Sequence, residues 1–559
     1  MKNKKYNRKE FIAFLGKVSF GVAITPSFLM SCGNSNGSII SEGLSNDEIN
    51  KLKKLVLEGL VASDIDDLLL AKGLNYHTLI KWNEKINDAD TFGFNCDFTC
   101  FIPFDDEQPE DGLLWVNHEY VHPLFVSNYA FGNLNQERTI EQVDKEMYNV
   151  GGSIVRIRQK NGKWEVVLND PHNRRITAKT PISLNWDKPI KGKTTVIGTH
   201  SNCSGGITPW NTFLTCEENY DQFYGETEYQ NDGTTYHRPS AFGWEDFYKY
   251  PPEHYGWVVE IDPKNGAAQK HIALGRFAHE CCTLFQLEDK RVVAYSGDDG
   301  NDQHLYKFIS SKPNSLKEGT LYVADTKNGK WISLDWKNQP LLKSAFKNQT
   351  EVLIRAREAA KLLGATELNR PEDIEIDPIT GNIFISLTNN KPKGDFHGSI
   401  LKIEESNNEH DSLNFRASVY MAGGGENGFS CPDNLAFDLA GNLWMTTDMS
   451  GSVMNKEDGP YMHFKNNSLF VIPRIGEDAG KVIRVANAPR DAEFTGPWFS
   501  PDGKTLFLSV QHPGEQTTDL KNPTSLWPFD KDNIPKPSVV AITGDLIEKM
   551  NNLHIIEKP

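Results

Sequence analysis

Short runs of carboxylates, amides and thiols recur along the 559-residue chain, and these side chains have the chemistry of metal ligands. The runs are Phe92 to Phe98, which holds Asn95, Cys96 and Asp97; Asn117-His118-Glu119; Asn202-Cys203 followed by Gly205-Gly206; Cys216-Glu217-Glu218-Asn219; His279-Glu280; and Arg370-Pro371-Glu372-Asp373. None has the spacing of a zinc finger or of a phosphate-binding P-loop. Carboxylate and amide oxygens suit calcium or another hard cation, whereas a Cys203 thiolate favours iron or zinc. Gly205 and Gly206 permit close backbone approach behind Cys203. Arg370 stands one residue before a rigid proline and two before Glu372, so a guanidinium and a carboxylate can reach one place from a fixed backbone. The planar fork of arginine matches phosphate oxygens. The bland alternatives are a surface salt bridge for Arg370 and small-hydrophobe packing for Cys216, Cys281, Cys282 and Cys431.

A repeat shows how such residues are brought together. Pro371-Glu372-Asp373-Ile374 leads through Gly381-Asn382 to Ile383 to Leu387, Pro432-Asp433-Asn434-Leu435 through Gly441-Asn442 to Leu443-Trp444-Met445, and Glu493 to Gly496 through Asp502-Gly503 to Thr505 to Leu508. Each unit reads as strand, tight turn, strand, followed by a hairpin such as Ser468 to Pro473 with Lys481 to Val485, which is the pattern of a propeller blade. Less regular copies precede them. Phe92 to Phe101, Leu113 to His118, Ser153 to Arg158 and Lys163 to Leu168 form one; Thr208 to Glu217, Trp257 to Asp262 and Lys270 to Leu274 a second; and His279-Glu280 opens a third, with Tyr295 to Asp299, His304 to Phe308 and Leu321 to Ala324. Ser538 to Ile542 returns to complete the last, which gives an all-β six-bladed β-propeller with long inter-strand loops over residues 91–559. The first strand of each blade lines the channel, so Glu280, Glu372, Asp433 and Glu493 converge on the axis. Four acids there repel one another unless a cation, a proton or a wide water-filled mouth separates them.

Composition sets outer limits. Fifty-nine basic residues against 75 acidic ones give a formal charge of −16, which argues against nucleic-acid recognition. Residues 1–32 read as an export signal: Lys2, Lys4, Lys5, Arg8 and Lys9 precede the mostly apolar Phe11 to Met30, and Leu29-Met30-Ser31-Cys32 is similar to the lipobox of bacterial lipoproteins. Asn7-Arg8-Lys9-Glu10-Phe11-Ile12 resembles a relaxed twin-arginine signal that departs at Lys9. The expected product is an exported lipoprotein, periplasmic or anchored in the outer membrane through a lipid on Cys32, with residues 33–44 as a flexible linker. Residues 45–90 form an expected helical annex, with capping-box spacing at Ser45 to Glu48 and an apolar face that predicts a helix over about 46–58. Beyond Cys32, seven cysteines remain, so at least one thiol lacks an intramolecular partner.

Taken in order over roughly 65–545, these runs, with Gly275-Arg276-Phe277, Tyr295 to Asp299, Cys431-Pro432-Asp433-Asn434 and Gln511-His512-Pro513-Gly514-Glu515, resemble the PhoX family of exported bacterial alkaline phosphatases. That resemblance implies a six-bladed propeller carrying about two ferric ions and two or three calcium ions, with phosphomonoesters as substrates and inorganic phosphate as product. By match of motif, Cys203 would be the thiolate on iron, Glu280 and Glu372 bridging or terminal carboxylates, and Glu119, Asp97, Asp298 and Asp433 ligands of calcium or their neighbours. Arg370 would grip phosphate, with Asn202 and Asn117 beside it; which of Glu217 and Glu218 points inward stays open. Cys96 stands where the family pattern has a second asparagine, and Cys281-Cys282 where it has small residues. Two other readings compete. A calcium-dependent lactonase-like propeller would use Glu372, Asp433 and Asn434 but give Cys203 and Arg370 no role, and a non-catalytic extracellular propeller would use its long loops for binding.

Overall fold

A computed structural model describes residues 56–553 of the chain, apart from 106, 131–135 and 231. The export signal, the linker and most of the helix expected over 46–58 lie outside those residues. No helix among the described residues is long and apolar enough to cross a membrane.

Six mainly antiparallel sheets surround one axis. Their innermost strands are Cys96–Pro103, Asn202–Ile207, Thr283–Gln286, Pro371–Ile376, Pro432–Phe437 and Glu493–Phe499, and each sheet then runs outward through strands that follow in sequence, except at the outer edges of the second, fifth and sixth. The second blade corrects the expected register. Its innermost strand is Asn202–Ile207, Phe213–Glu217 is the second strand, and Pro181–Leu184 is added in parallel towards its outer edge. Gly205 and Gly206 hide the innermost strand from a periodicity reading because they add no side chain to either face.

The ring closes through the N-terminal part of the chain. Asn75–Lys81 pairs antiparallel with Ser538–Thr543 and supplies the outer strand of the last blade, while Leu69–Leu70 adds an edge to the fifth. The described part of the expected annex is thus not helical: residues 56–68 hold neither helix nor strand, and the rest feeds two blades. Helical segments occur instead as inserts, notably Ile140–Asn149, entered through a Thr139/Gln142 capping box, and the run from Pro340 to Leu362 between blades three and four.

Neighbouring blades are joined at their inner strands by side chains that satisfy the carbonyls and amides their bulges release. Thr99 Oγ1 donates to the Gly496 carbonyl at 2.7 Å, Ser509 Oγ to that of Asp97 at 2.5 Å, and Thr283 Oγ1 to that of Ile374 at 2.5 Å. Asp373 accepts the Leu435 amide at 2.9 Å, and Asn434 accepts that of Gly496 at 2.7 Å. These bonds, with the backbone bonds from the Ser204 amide to the Glu280 carbonyl and from the Cys282 amide to the Gly205 carbonyl, tie the six blades together at the axis, where the site lies.

Candidate metal centre

One local motif recurs at the mouth of the channel. Asn95, Ser201, Arg370, Cys431 and Asp491 all have left-handed backbone, with φ between 52° and 61°. Non-glycine residues seldom adopt it, and where they do a site is often nearby. Two residues after each comes Asp97, Cys203, Glu372, Asp433 or Glu493, and Glu280 takes the matching place in the third blade. The ladder slips beside this position, between Cys96 and Thr99, Asn202 and Gly205, Pro371 and Ile374, and Pro432 and Leu435. Each blade thereby contributes one acid or thiol to a single ring.

A second tier comes from just past the second strand, one residue beyond it except in the third blade, where Asp298 intervenes before Asp299. The amides of Glu119, Glu218, Asp299 and Asp448 donate to the carbonyls of Asn95, Ser201, Ala278 and Cys431. Their side chains meet the first tier from above. In the fourth blade this place is Thr388, bonded to the Arg370 carbonyl at 3.1 Å.

Together these groups line a cavity of about 170 Å³ that carries eight carboxylates, those of Glu119, Glu218, Glu280, Glu372, Asp433, Asp448, Glu493 and Glu515, besides Cys203. Arg370 is the only lysine or arginine among the described residues lining it. Cys203, Glu218 and Glu280 offer ligand atoms within 4.8 Å of one another, and so do Glu280, Glu372 and Asp433. Glu280 belongs to both groups. The Cys203 thiol donates to Glu280 Oε1 at 3.1 Å.

Burial and mutual repulsion govern the charges. Burial, then Glu372 and Asp299, raise Glu280 well above the usual carboxylate range, and burial, then Glu280, raises Asp433. Burial also lifts the Cys203 thiol, helped by Asp97 and Glu280. Burial pushes Glu119 up to about 7. Asp299 is the exception: burial would raise it, but the Arg370 guanidinium holds it below the usual range. Arg370 Nε and Nη2 each lie 2.9 Å from an Asp299 oxygen, Nη2 is 2.6 Å from Glu372 Oε1, and Nη1 is 3.5 Å from Asp448. Pro371 disfavours right-handed helical backbone at Arg370, which takes the left-handed conformation instead.

The donor set fits bound cations. So many carboxylates cannot all ionise in one small cavity without positive charge between them, and Asp97 Oδ1 is buried with no hydrogen-bond partner. Oxygen donors around a single thiolate suit hard cations together with one softer, iron-like ion.

Of the residues singled out from sequence, Cys203, Glu280, Glu372, Glu119, Asp433 and Arg370 line the cavity, and Asp97 lies beside it against Gln511. Three fall elsewhere. Asp298 is buried in an ion pair with Arg357, with Nε 2.9 Å from Oδ2. Asn202 donates to Thr199 and Thr215, and Asn117 donates to the Cys203 and Ser204 carbonyls at 2.6 and 3.0 Å. The two amides therefore shape the Cys203 strand from behind. Sequence reasoning leaves Glu218 undecided against Glu217, holds Asp299 and His512 only as members of longer runs, and passes over Asp448. Glu217, the neighbour of Glu218, turns away to a buried pair with Lys270 at 2.6 Å. The Gln-His-Pro-Gly-Glu run is the signal for His512, whose Nδ1 donates to the Asp491 carbonyl at 2.9 Å.

The glycines and other thiols also find their places. A side chain on Gly205 would clash with the Leu214 carbonyl, and one on Gly206 with that of Cys282. Cys96 and Cys281 are buried against the carbonyls of Val510 and Glu372. All seven cysteines among the described residues are free. The aromatic loop holding Trp244 and Tyr255 packs around His200 behind the site.

The family model described as Alkaline phosphatase PhoX matches residues 56–514. The chain belongs to the PhoX family. Among solved structures, it is similar to Pseudomonas fluorescens PhoX in complex with vanadate, a transition state analogue, at 30% identity and a TM-score of 0.77, covering 88% of this chain and 98% of that one. A protein of unknown function from Dyadobacter fermentans and a Trypanosoma rangeli sialidase reach TM-scores of only 0.37 and 0.33 at 8% and 9% identity, covering 85% and 87% of this chain and 100% and 61% of theirs. No curated protein matches the chain.

Proposed function

We propose that this PhoX-family propeller hydrolyses phosphomonoesters at an iron and calcium cluster held in its channel mouth, releasing inorganic phosphate. The observation that carries this reading is Glu280, common to a thiol-containing ligand group and an all-carboxylate one. Cys203, Glu218 and Glu280 would hold the softer iron side. Glu372, Asp433, Glu493, Glu119 and Asp97 would supply the oxygens that calcium accepts in irregular geometry. The bound cations would supply positive charge for the phosphoryl oxygens and the departing alkoxide.

The chain's own residues then bind and orient. Arg370, clamped by Asp299, presents Nη1 to the cavity and would grip a phosphoryl oxygen. Asn117 and Asn202 hold the Cys203 strand and act through position. A lactonase-like site on a single calcium would leave Cys203 and Arg370 without a task, yet both line the cavity. The vanadate bound to the Pseudomonas fluorescens relative supports the phosphoryl-transfer reading.

We also place the mature protein outside the inner membrane, tethered by lipid on Cys32. Cys32→Ser should release it to the soluble fraction. The catalytic reading is tested by steady-state hydrolysis of an aryl phosphate before and after chelation. Metal-loaded protein that cleaves no monoester would sink it.

A further inference from the structure

Glu515 stands apart from the other acids of the cavity. It lines the mouth with Tyr120, Asn219, Ser450 and His512, and it is only half-buried, as are Asp448 and Glu493, but Asp448 lies against Arg370 at 3.5 Å and Glu493 against His512 at 3.6 Å, whereas Glu515 takes its side-chain bonds from neutral groups. The Tyr120 hydroxyl donates to Oε1 at 3.1 Å and the Gln516 side-chain amide to Oε2 at 3.1 Å, while His122 Nε2 donates to the Glu515 carbonyl at 3.2 Å. The carboxylate is thus held from both sides. The Tyr120 ring lies 6.0 Å from that of His512 at an angle of 30°, which gives the mouth a rigid aromatic wall.

We propose that Glu515 selects the alcohol part of the phosphomonoester, admitting neutral or cationic groups and disfavouring anionic ones. The inference rests on the phosphomonoester reading above. An ester whose phosphoryl group sits at the cluster must send its organic part out past the mouth. The carboxylates assigned as ligands would share their charge with the cations they bind, whereas Glu515 bonds only to Tyr120 and Gln516 at the mouth, where the organic part would emerge. Arg370, the one lysine or arginine among the described residues of the lining, is engaged by Asp299, Glu372 and Asp448 and reserved for the phosphoryl group, so no lysine or arginine there is left to pair with Glu515. Such a like-charge contact costs about tenfold in kcat/KM, and the discrimination comes from repulsion rather than added attraction.

The test uses metal-loaded wild type, Glu515→Gln and Glu515→Lys. Their substrates are three aryl phosphates of matched leaving-group acidity, with a neutral, a carboxylate or a trimethylammonium substituent. The ratio of kcat/KM for the carboxylate ester to that for the neutral ester should rise about tenfold in Glu515→Gln and further in Glu515→Lys. Added salt should narrow the wild-type discrimination. The same ratio in all three proteins would overturn the role of Glu515 while leaving the phosphatase reading intact. Hydrolysis of none of the esters would overturn both.

Discussion

The Cys203 thiol lies 3.1 Å from Glu280 Oε1, although the two residues open different blades and stand 77 positions apart. That contact joins the soft end of the donor set to the carboxylate shared by both ligand groups. Replacing Cys203 with serine should keep the fold and the oxygen ligands but remove the visible absorption expected of iron bound to thiolate. Absorption spectra of the two purified proteins check this, and an unchanged spectrum would remove Cys203 from the iron site.

Arg370 is fixed by Asp299 and points into the cavity, so its effect should fall on turnover. Arg370→Ala should lower kcat for a simple aryl phosphate by about 10²-fold, the scale of a single preorganised electrostatic donor. Arg370→Lys should recover little, because an ammonium cannot hold Asp299 at two points while reaching the cavity. Steady-state kinetics beside metal analysis separate this from metal loss.

Adjacent glutamates should behave in opposite ways. Glu218 faces the cavity, and Glu218→Gln should cost bound metal while leaving the metal-free fold intact. Glu217 is buried against Lys270, and Glu217→Gln should keep the ligand set but lose about 3–5 kcal/mol of stability, because Lys270 is left buried and unpaired. Denaturant unfolding and metal analysis of both variants make the comparison.

Proton binding gives a pH signature. Burial raises Glu119 from 4.5 to about 7 in the metal-free site, and burial with carboxylate repulsion raises Glu280, Glu372 and Asp433. A carboxylate raised in this way binds its proton more tightly folded than unfolded. Its stabilisation is complete below the unfolded value and is lost as pH climbs through the folded one. Metal-stripped protein should therefore lose Tm as pH rises from about 4.5 to 7 and beyond. Cations compete with those protons, so metal-loaded protein should instead lose Tm as pH falls. Thermal unfolding across pH, with and without chelator, checks both directions.

The site is legible in the sequence where the repeat is strong. Glu372, Asp433 and Glu493 follow the same strand-entry pattern, and their convergence on the axis follows from that pattern alone. Glu218 cannot be chosen over Glu217 in this way, because side-chain alternation along a strand depends on a register that the neighbouring bulge shifts. Asp299 and Asp448 lie just past the ends of second strands, where each looks like an ordinary turn residue. Asn117 and Asn202 stand in the right runs, but their direction depends on partners such as Thr215, far along the chain from Asn117. The strand Asn75–Lys81 escapes a pattern reading because it precedes the repeat and its partner, Ser538–Thr543, lies at the other end of the sequence.

The most direct test is the metal content of purified, untagged, active protein, measured by plasma mass spectrometry beside Glu280→Gln. The wild type should hold about two iron ions together with calcium. Glu280→Gln should lose both elements, because that carboxylate belongs to both ligand groups. An active wild type without a transition metal, or a Glu280→Gln protein that keeps its full complement, would contradict a cluster shared through Glu280.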